Sequence, residues 1–223
     1  MKREFVDRIR EADLILIGIG NEFEIRQFCC NPRATESLQI LKEILNGKNY
    51  YVVTVCTNSI LSEVGFPNDR IVSPCGNLML KQCPKHCEGS LMELSANEKR
   101  LLKTIDEKGL SLQLGECPVC GEAMVLNNIY AEEYDEAGYL DAWKMYTKWL
   151  QGTLNKKLCV LELGVDMTFP NIIRWPFEKV AFYNMKASFI RVNQTLYHLS
   201  EELKDKGIAV KQNAIDWLLE TDI

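Results

Sequence analysis

The chain has 223 residues, of which 47% are hydrophobic and 26% are charged, and its net charge is −5. This balance is that of an ordinary globular protein, and the scattered lysines and arginines form no basic stripe, so nucleic-acid binding is disfavoured. No apolar run approaches a membrane span, and the N-terminus lacks the apolar segment of a signal peptide. We therefore expect a cytoplasmic protein without a membrane partner, whose nine cysteines serve as metal ligands or buried thiols.

The N-terminal segment predicts a short helix followed by a buried strand. Residues 2–11 have the apolar spacing of a helix, and residues 12–20 form an almost unbroken apolar run that ends in Gly18 and Gly20. Such a run suits a strand buried on both faces of a parallel sheet. Its glycines would let the backbone approach a phosphate, but without a third glycine the motif taken by itself favours a tight turn between strand and loop over a nucleotide site.

A helix and a second strand come next. The helix is expected to begin at Thr35 as its N-cap, and the strand occupies residues 50–55. Alternation of strand, helix and strand favours a parallel sheet with right-handed crossovers. Because ligands of such sheets bind beyond the C-terminal ends of the strands, we expect a site near residues 18–21 and 56–58.

Two cysteine pairs predict a metal site. Cys83 and Cys87 are separated by three residues, and Cys117 and Cys120 by two. Four thiolates at such spacings are typical of a structural zinc ion. Two alternatives remain open at this point: His86 could replace one thiolate, or the pairs could be unrelated core cysteines.

The remaining segments complete an α/β fold. A surface helix at 94–108, capped by Ser95 and Glu98, is expected inside the cysteine region, and a strand at 124–130 would run back to the main domain. The later elements are a helix at 139–154, strands at 158–164, 187–193 and 208–211, a short helix within 170–186, and a closing helix at 213–219.

The predicted architecture is a Rossmann-like parallel sheet with helices on both faces and an inserted small zinc-binding module. The NAD-binding domain would comprise residues 1–76 and 127–223, and the zinc-binding insertion residues 77–126.

These segments, in this order, resemble the sirtuin (Sir2-like) family, and most closely its microbial class that occurs with macrodomain proteins. The resemblance rests on the two cysteine pairs, the first of which has the spacing of that class, and on residues 12–20, 51–54, 64–66, 161–165 and 189–193. It implies cleavage of NAD at the nicotinamide–ribose bond. The ADP-ribosyl group would pass to an acyl-lysine or another protein acceptor, so the implied partners are NAD or ADP-ribose and an acylated or lipoylated protein.

The resemblance also implies the cofactor-binding residues. Asn193 matches a residue that contacts the adenine-side ribose, although a bond to its own turn would explain it equally well. Glu22 stands where many members carry a small residue, so its charge is expected to crowd a phosphate. The full implied set is Gly18, Gly20, Arg26, Gly164, Val165 and Asn193.

The catalytic positions depart from the family pattern. Alignment without gaps places Cys56 at the family's catalytic asparagine, Asn58 at its aspartate and Cys75 at its histidine or glutamine. A two-residue slip would make Asn58 the asparagine. A thiol cannot supply the donor and acceptor of an amide, and Cys75 could act as a base or nucleophile only with a lowered pKa.

Three functions stay open on this basis. One is an NAD-dependent transferase or deacylase with an altered set of catalytic residues. A second is a sirtuin-fold module that binds NAD or ADP-ribose without turnover. A third is a purely structural partner of another protein.

Overall fold

The computed structural model describes residues 2–24, 31–102 and 114–221 of the chain. Its strands, in chain order, are β1 Leu14–Ile19, β2 Asn49–Thr54, β3 Ile71–Val72, β4 Gly76–Gln82, β5 Met92–Glu93, β6 Val125–Asn128, β7 Leu158–Leu163, β8 Ser188–Val192 and β9 Gly207–Val210. Within the described residues, six of them form one sheet in the order β3-β2-β1-β7-β8-β9. All neighbouring strands in it are parallel, which confirms the Rossmann-like sheet.

Helices cover both faces of this sheet, as expected. They are α1 Lys2–Glu11, α2 Pro32–Ile44, α3 Ile60–Val64, α4 Ala96–Leu102, α5 Ala137–Gln151, α6 Arg174–Tyr183 and α7 Ala214–Leu219. Because side chains of a strand alternate between its faces, Ile15, Ile17 and Ile19 pack with α1, α2 and α7, whereas Leu14 and Leu16 pack with α5 and α6. Strand β1 is therefore buried on both sides. No helix within the described ranges is both long and apolar enough to cross a bilayer.

The N-cap of helix α2 lies four residues earlier than the sequence pattern suggested. It is Asn31, whose side-chain oxygen accepts hydrogen bonds from the backbone N–H groups of Arg33 and Ala34 at 3.1 and 3.3 Å. Thr35 lies in the first turn. Proline at the first helical position has a backbone angle already suited to a helix, so α2 starts at Pro32.

A second, antiparallel sheet carries the cysteine region. Its strand order is β5-β4-β6. No strand was predicted for β4. The strand predicted at 124–130 is confirmed as β6, which pairs with β4, and Ile129 directly after it packs against the core of the main sheet. The predicted cap of α4 is confirmed, because Ser95 and Glu98 exchange hydrogen bonds between side chain and backbone at 2.6 and 3.3 Å. The part of that predicted helix beyond residue 102 lies outside the described residues.

Helix α5 packs on the sheet through one row of aromatic rings. Tyr146 is buried and its ring lies 5.4 Å from that of Tyr51 in β2. Leu140 and Met145 of the same helix are exposed. The aromatic residues of α5 are spaced three or four residues apart, which keeps them on one side of the helix. That side faces the sheet.

Buried ion pairs join β7, β8 and α6. Arg191 in β8 makes two contacts with Glu162 in β7, at 2.7 and 3.2 Å, and one with Glu178 in α6 at 2.7 Å. Glu162 is completely buried. Burial raises its pKa, and the neighbouring guanidinium groups of Arg191 and Arg174 oppose that shift. The network places α6 against the strands whose ends carry the site described below.

Removal of Arg191 should leave a buried carboxylate without its main partner. We expect Arg191→Met to lower the free energy of unfolding by about 3 kcal/mol or more, measured by urea denaturation, because an uncompensated buried charge is costly. The matched control is Lys204→Met, which breaks an exposed pair with Glu201 and should change stability by less than about 1 kcal/mol. Equal effects of the two substitutions would contradict a stabilising role for the buried network.

Candidate functional site

The four predicted metal ligands lie together. The sulfur atoms of Cys83, Cys87, Cys117 and Cys120 are all within 4.8 Å of one another. The Sγ atom of Cys83 lies 3.8 Å from that of Cys87 and 3.6 Å from that of Cys120. Tetrahedral zinc with Zn–S bonds of about 2.3 Å places its sulfurs about 3.8 Å apart, so this donor set has the spacing that zinc requires.

Backbone turns form the two cysteine loops. The N–H of His86 donates to the carbonyl of Cys83 at 3.0 Å, and the N–H of Gly121 donates to the carbonyl of Cys117 at 2.9 Å. The ring of His86 contacts the carbonyl of Glu133 at 3.1 Å and is not among the grouped ligands. The arrangement therefore favours four thiolates over a set that includes the histidine.

The carboxyl ends of β1 and β7 mark the expected ligand crevice of this sheet. The strand order reverses between these two strands, and this is where open parallel sheets bind their ligands. Gly20 faces the turn after β7 so closely that a Cβ atom at this position would lie 2.3 Å from the carbonyl oxygen of Gly164 and 2.3 Å from the Cα of Val165. A Cβ on Gly18 would lie 2.5 Å from Ile173 in the segment before α6. These glycines are thus required by packing of the protein on itself.

Polar side chains of the turn after β1 form hydrogen bonds with the segments that follow β7, β8 and β9. Asn21 donates to Asp166 at 2.6 Å and to Thr168 at 3.2 Å. The carboxylate of Glu22 accepts the backbone N–H groups of Gln194 and Ala214 at 3.0 and 2.5 Å.

Glu22 is also packed tightly against the turn after β7. A Cβ on Gly164, which has a positive φ of 63°, would lie 2.5 Å from the Cβ of Glu22. Burial raises the pKa of Glu22, and its two backbone hydrogen bonds oppose that rise. A protein carboxylate therefore occupies hydrogen-bond donors at the edge where the phosphates of a dinucleotide are expected.

Asn193 is engaged within its own turn. Its side-chain oxygen accepts the N–H groups of Thr195 and Leu196 at 2.8 and 2.7 Å, and its side-chain nitrogen donates to the carbonyl of Val165 at 3.0 Å. Asn193 therefore joins the end of β8 to the turn after β7. Arg26, the remaining predicted cofactor residue, lies outside the described residues.

The three predicted catalytic residues line the ends of β2 and β3. Cys56 is buried and its thiol donates to the carbonyl of Gly20 at 3.2 Å. Asn58 donates to the carbonyl of Phe23 at 2.8 Å. Cys75 is fully buried. Burial raises the pKa of both thiols, that of Cys75 to about 12, and the nearby charge of Glu24 adds to the shift, so both stay protonated at neutral pH.

Glu24 is a polar group that the sequence reasoning missed. Its carboxylate accepts the backbone N–H of Thr57 at 2.7 Å and the hydroxyl of Thr57 at 2.9 Å. Burial raises its pKa, and these hydrogen bonds lower it. The sequence analysis assigned no role to this position, and only the contact between the turns after β1 and β2 brings the carboxylate to the residue that follows Cys56.

Sirtuin structures match this arrangement, although no protein-family profile matches the chain. A structure described as the structural basis for sirtuin substrate affinity aligns with a TM-score of 0.59 at 14% identity, over 98% of this chain and 96% of its own. A Sir2 variant with a deacetylated p53 peptide and 3'-O-acetyl ADP-ribose aligns with a TM-score of 0.54 at 12% identity, over 97% and 95%. This chain has the sirtuin fold.

Two curated proteins are similar to this sirtuin-fold chain in sequence. A protein ADP-ribosyltransferase of Staphylococcus aureus strain Mu50 is 20% identical over 181 residues, which are 80% of this chain and 58% of that protein. A protein of Fusarium oxysporum f. sp. cubense, described as a "probable bifunctional ADP-ribose hydrolase/ADP-ribosyltransferase", is 27% identical over 172 residues, which are 71% of this chain and 28% of that protein. The chain thus spans only part of the length of either relative, and the expected resemblance is confirmed.

Metal analysis tests the cysteine cluster of this sirtuin fold. We expect about one zinc per chain by elemental analysis, and a lower midpoint of thermal unfolding after chelation, because a structural zinc contributes directly to folding. Cys120→Ala should lose the metal, whereas Cys159→Ala, in a strand of the main sheet, should keep it. Full zinc content in the Cys120 variant would contradict the four-thiolate site.

Substitution of Glu22 tests whether its carboxylate competes with a ligand. We expect Glu22→Ala to bind ADP-ribose at least about tenfold more tightly than the unsubstituted chain by calorimetry, a gain of about 1.4 kcal/mol. The reason is that two backbone donors become free and a repelling negative charge is lost. The exposed Glu202, changed to Ala, is the matched control, and an unchanged affinity in both variants would contradict the competition.

Proposed function

We propose that this protein is an NAD-dependent ADP-ribosyltransferase of the sirtuin type. It would cleave NAD to nicotinamide and transfer the ADP-ribosyl group to a protein acceptor. One observation carries the proposal: the sirtuin fold extends over nearly the whole chain, with the turns after β1 and β7 meeting at the expected ligand crevice. The names of both curated relatives support transfer of ADP-ribose.

The proposed cofactor site is the edge formed by the turns after β1, β7 and β8. Gly20 and Gly164 allow these turns to approach closely, and Asn193 holds the turn after β8 against Val165. Backbone groups of these turns would then face the ADP-ribose part of NAD, with Gly18 packing α6 beneath them. We also assign Arg26 to this site on the sequence resemblance alone.

Transfer to a protein is favoured over deacylation by the residues at the catalytic positions. In the resemblance the deacylase reaction depends on an asparagine and a histidine, and Cys56 and Cys75 supply neither an amide nor a base because both thiols are buried and protonated. Asn58 has an amide, which is engaged with Phe23. An acylated or lipoylated protein is the proposed acceptor.

Zinc is the proposed structural cofactor, held by the four cysteines. Residues 77–126 are proposed to form the zinc-binding insertion, which is supported by a separate sheet and a separate hydrophobic cluster around Leu94, Leu102 and Met124. We further propose a cytoplasmic location, since none of the seven cysteines among the described residues forms a disulfide.

Release of nicotinamide tests the proposed reaction. The purified chain is incubated with NAD, with and without acylated and lipoylated protein, and free nicotinamide and protein-bound ADP-ribose are both quantified. We expect release that increases with the acceptor, together with modified acceptor. Binding of ADP-ribose without release would indicate a binding module instead, and neither binding nor release would contradict the proposal and favour a structural role.

A further inference from the structure

The carboxyl edge of the main sheet contains an acid, Glu24, to which the predicted site residues assign no role. Glu24 follows the short 3-10 turn Asn21–Phe23 after β1, and it reaches the loop after β2, where both of its oxygens accept hydrogen bonds from Thr57 at 2.7 and 2.9 Å. Two bonds from one residue fix the orientation of the carboxylate. Glu24 keeps further acceptor capacity, because a carboxylate offers about four lone pairs.

The carboxylate of Glu24 acts on both altered catalytic positions, those of Cys56 and Cys75. Cys56 directly precedes Thr57, and its thiol donates to the carbonyl of Gly20, four residues before Glu24, at 3.2 Å. The charge of Glu24 also raises the pKa of Cys75, which follows β3. One carboxylate is thus hydrogen-bonded to the residue next to Cys56 and acts electrostatically on Cys75, the two residues that stand where the family has its catalytic asparagine and its histidine or glutamine.

We propose that Glu24 is the catalytic carboxylate of this site. The inference rests on the proposed cleavage of NAD. When the bond between C1' of the ribose and the nicotinamide nitrogen breaks, the electron pair leaves with nicotinamide and positive charge develops on C1'. The negative carboxylate stabilises that charge. The acceptor atom then bonds to C1', and its proton passes to Glu24, so that charge and atoms balance.

The two thiols beside it are suited to a supporting role only. A protonated, buried thiol is a weak donor and a poor nucleophile, so it can exclude water without competing for C1'. The backbone N–H and hydroxyl of Thr57 favour the ionised form of Glu24, which is the form that the reaction needs.

Glu24→Gln tests this role with little change in shape. The glutamine oxygen can still accept from the Thr57 N–H, and its amide can donate to the Thr57 hydroxyl. We expect single-turnover release of nicotinamide to slow by about 100-fold or more, because a positioned proton acceptor usually accelerates a reaction by at least that factor. The dissociation constant for NAD should change by less than about threefold. Glu63→Gln, an exposed carboxylate in α3, is the matched control and should release nicotinamide at the unsubstituted rate.

Chemical rescue separates catalysis from a structural role. Glu24→Ala should regain part of its nicotinamide release when formate is added, because formate can replace the missing carboxylate. Unchanged release in Glu24→Gln would overturn the inference and leave the proposed function standing. Loss of thermal stability and NAD binding without rescue would assign Glu24 a structural role and also overturn it. No release from the unsubstituted chain under any acceptor would remove the proposed function, and this inference with it.

Discussion

The site depends on one close approach, between the turn after β1 and the turn after β7. Gly20 lies against Gly164 and Val165 at a distance that leaves no room for a Cβ atom. Because the strand order reverses here, these turns form the floor of the crevice where a ligand of such a sheet binds. Replacement of Gly20 by any larger residue would separate the two turns, and the contacts of Asn21 and Glu22 would be lost with them.

Two carboxylates at this edge have different chemical consequences. Glu22 accepts hydrogen bonds from the backbone N–H groups of Gln194 and Ala214, on the side of β8. Glu24 accepts hydrogen bonds from Thr57, in the loop after β2. The same short turn therefore places one carboxylate on the side of β8, where it would compete with an anionic ligand under the proposed function, and a second on the side of β2.

The cysteine module is joined to the main sheet through buried amides as well as through the chain. Gln82 in β4 accepts from Asn127 in β6 at 2.6 Å and from the N–H of Asp135 at 2.9 Å, and it donates to the carbonyl of Glu133. The ring of His86, within the first cysteine loop, contacts the same carbonyl. These contacts hold the segment that leads into α5, which packs on β2, against the cysteine region.

The sequence by itself determined the parallel sheet, the strands β1, β7 and β8, and the four cysteines that meet in space. Unbroken apolar runs and paired cysteines carry strong local signals, so periodicity and spacing were sufficient there. The N-cap of α2 at Asn31 was missed although its hydrogen bonds are local, to Arg33 and Ala34. The strand β4 was missed because its polarity is mixed and its partners β5 and β6 lie farther along the chain. Only the tertiary structure decided that Glu24 is hydrogen-bonded to the residue next to Cys56 and that Glu22 occupies the crevice, since those contacts join residues 33 and 192 positions apart.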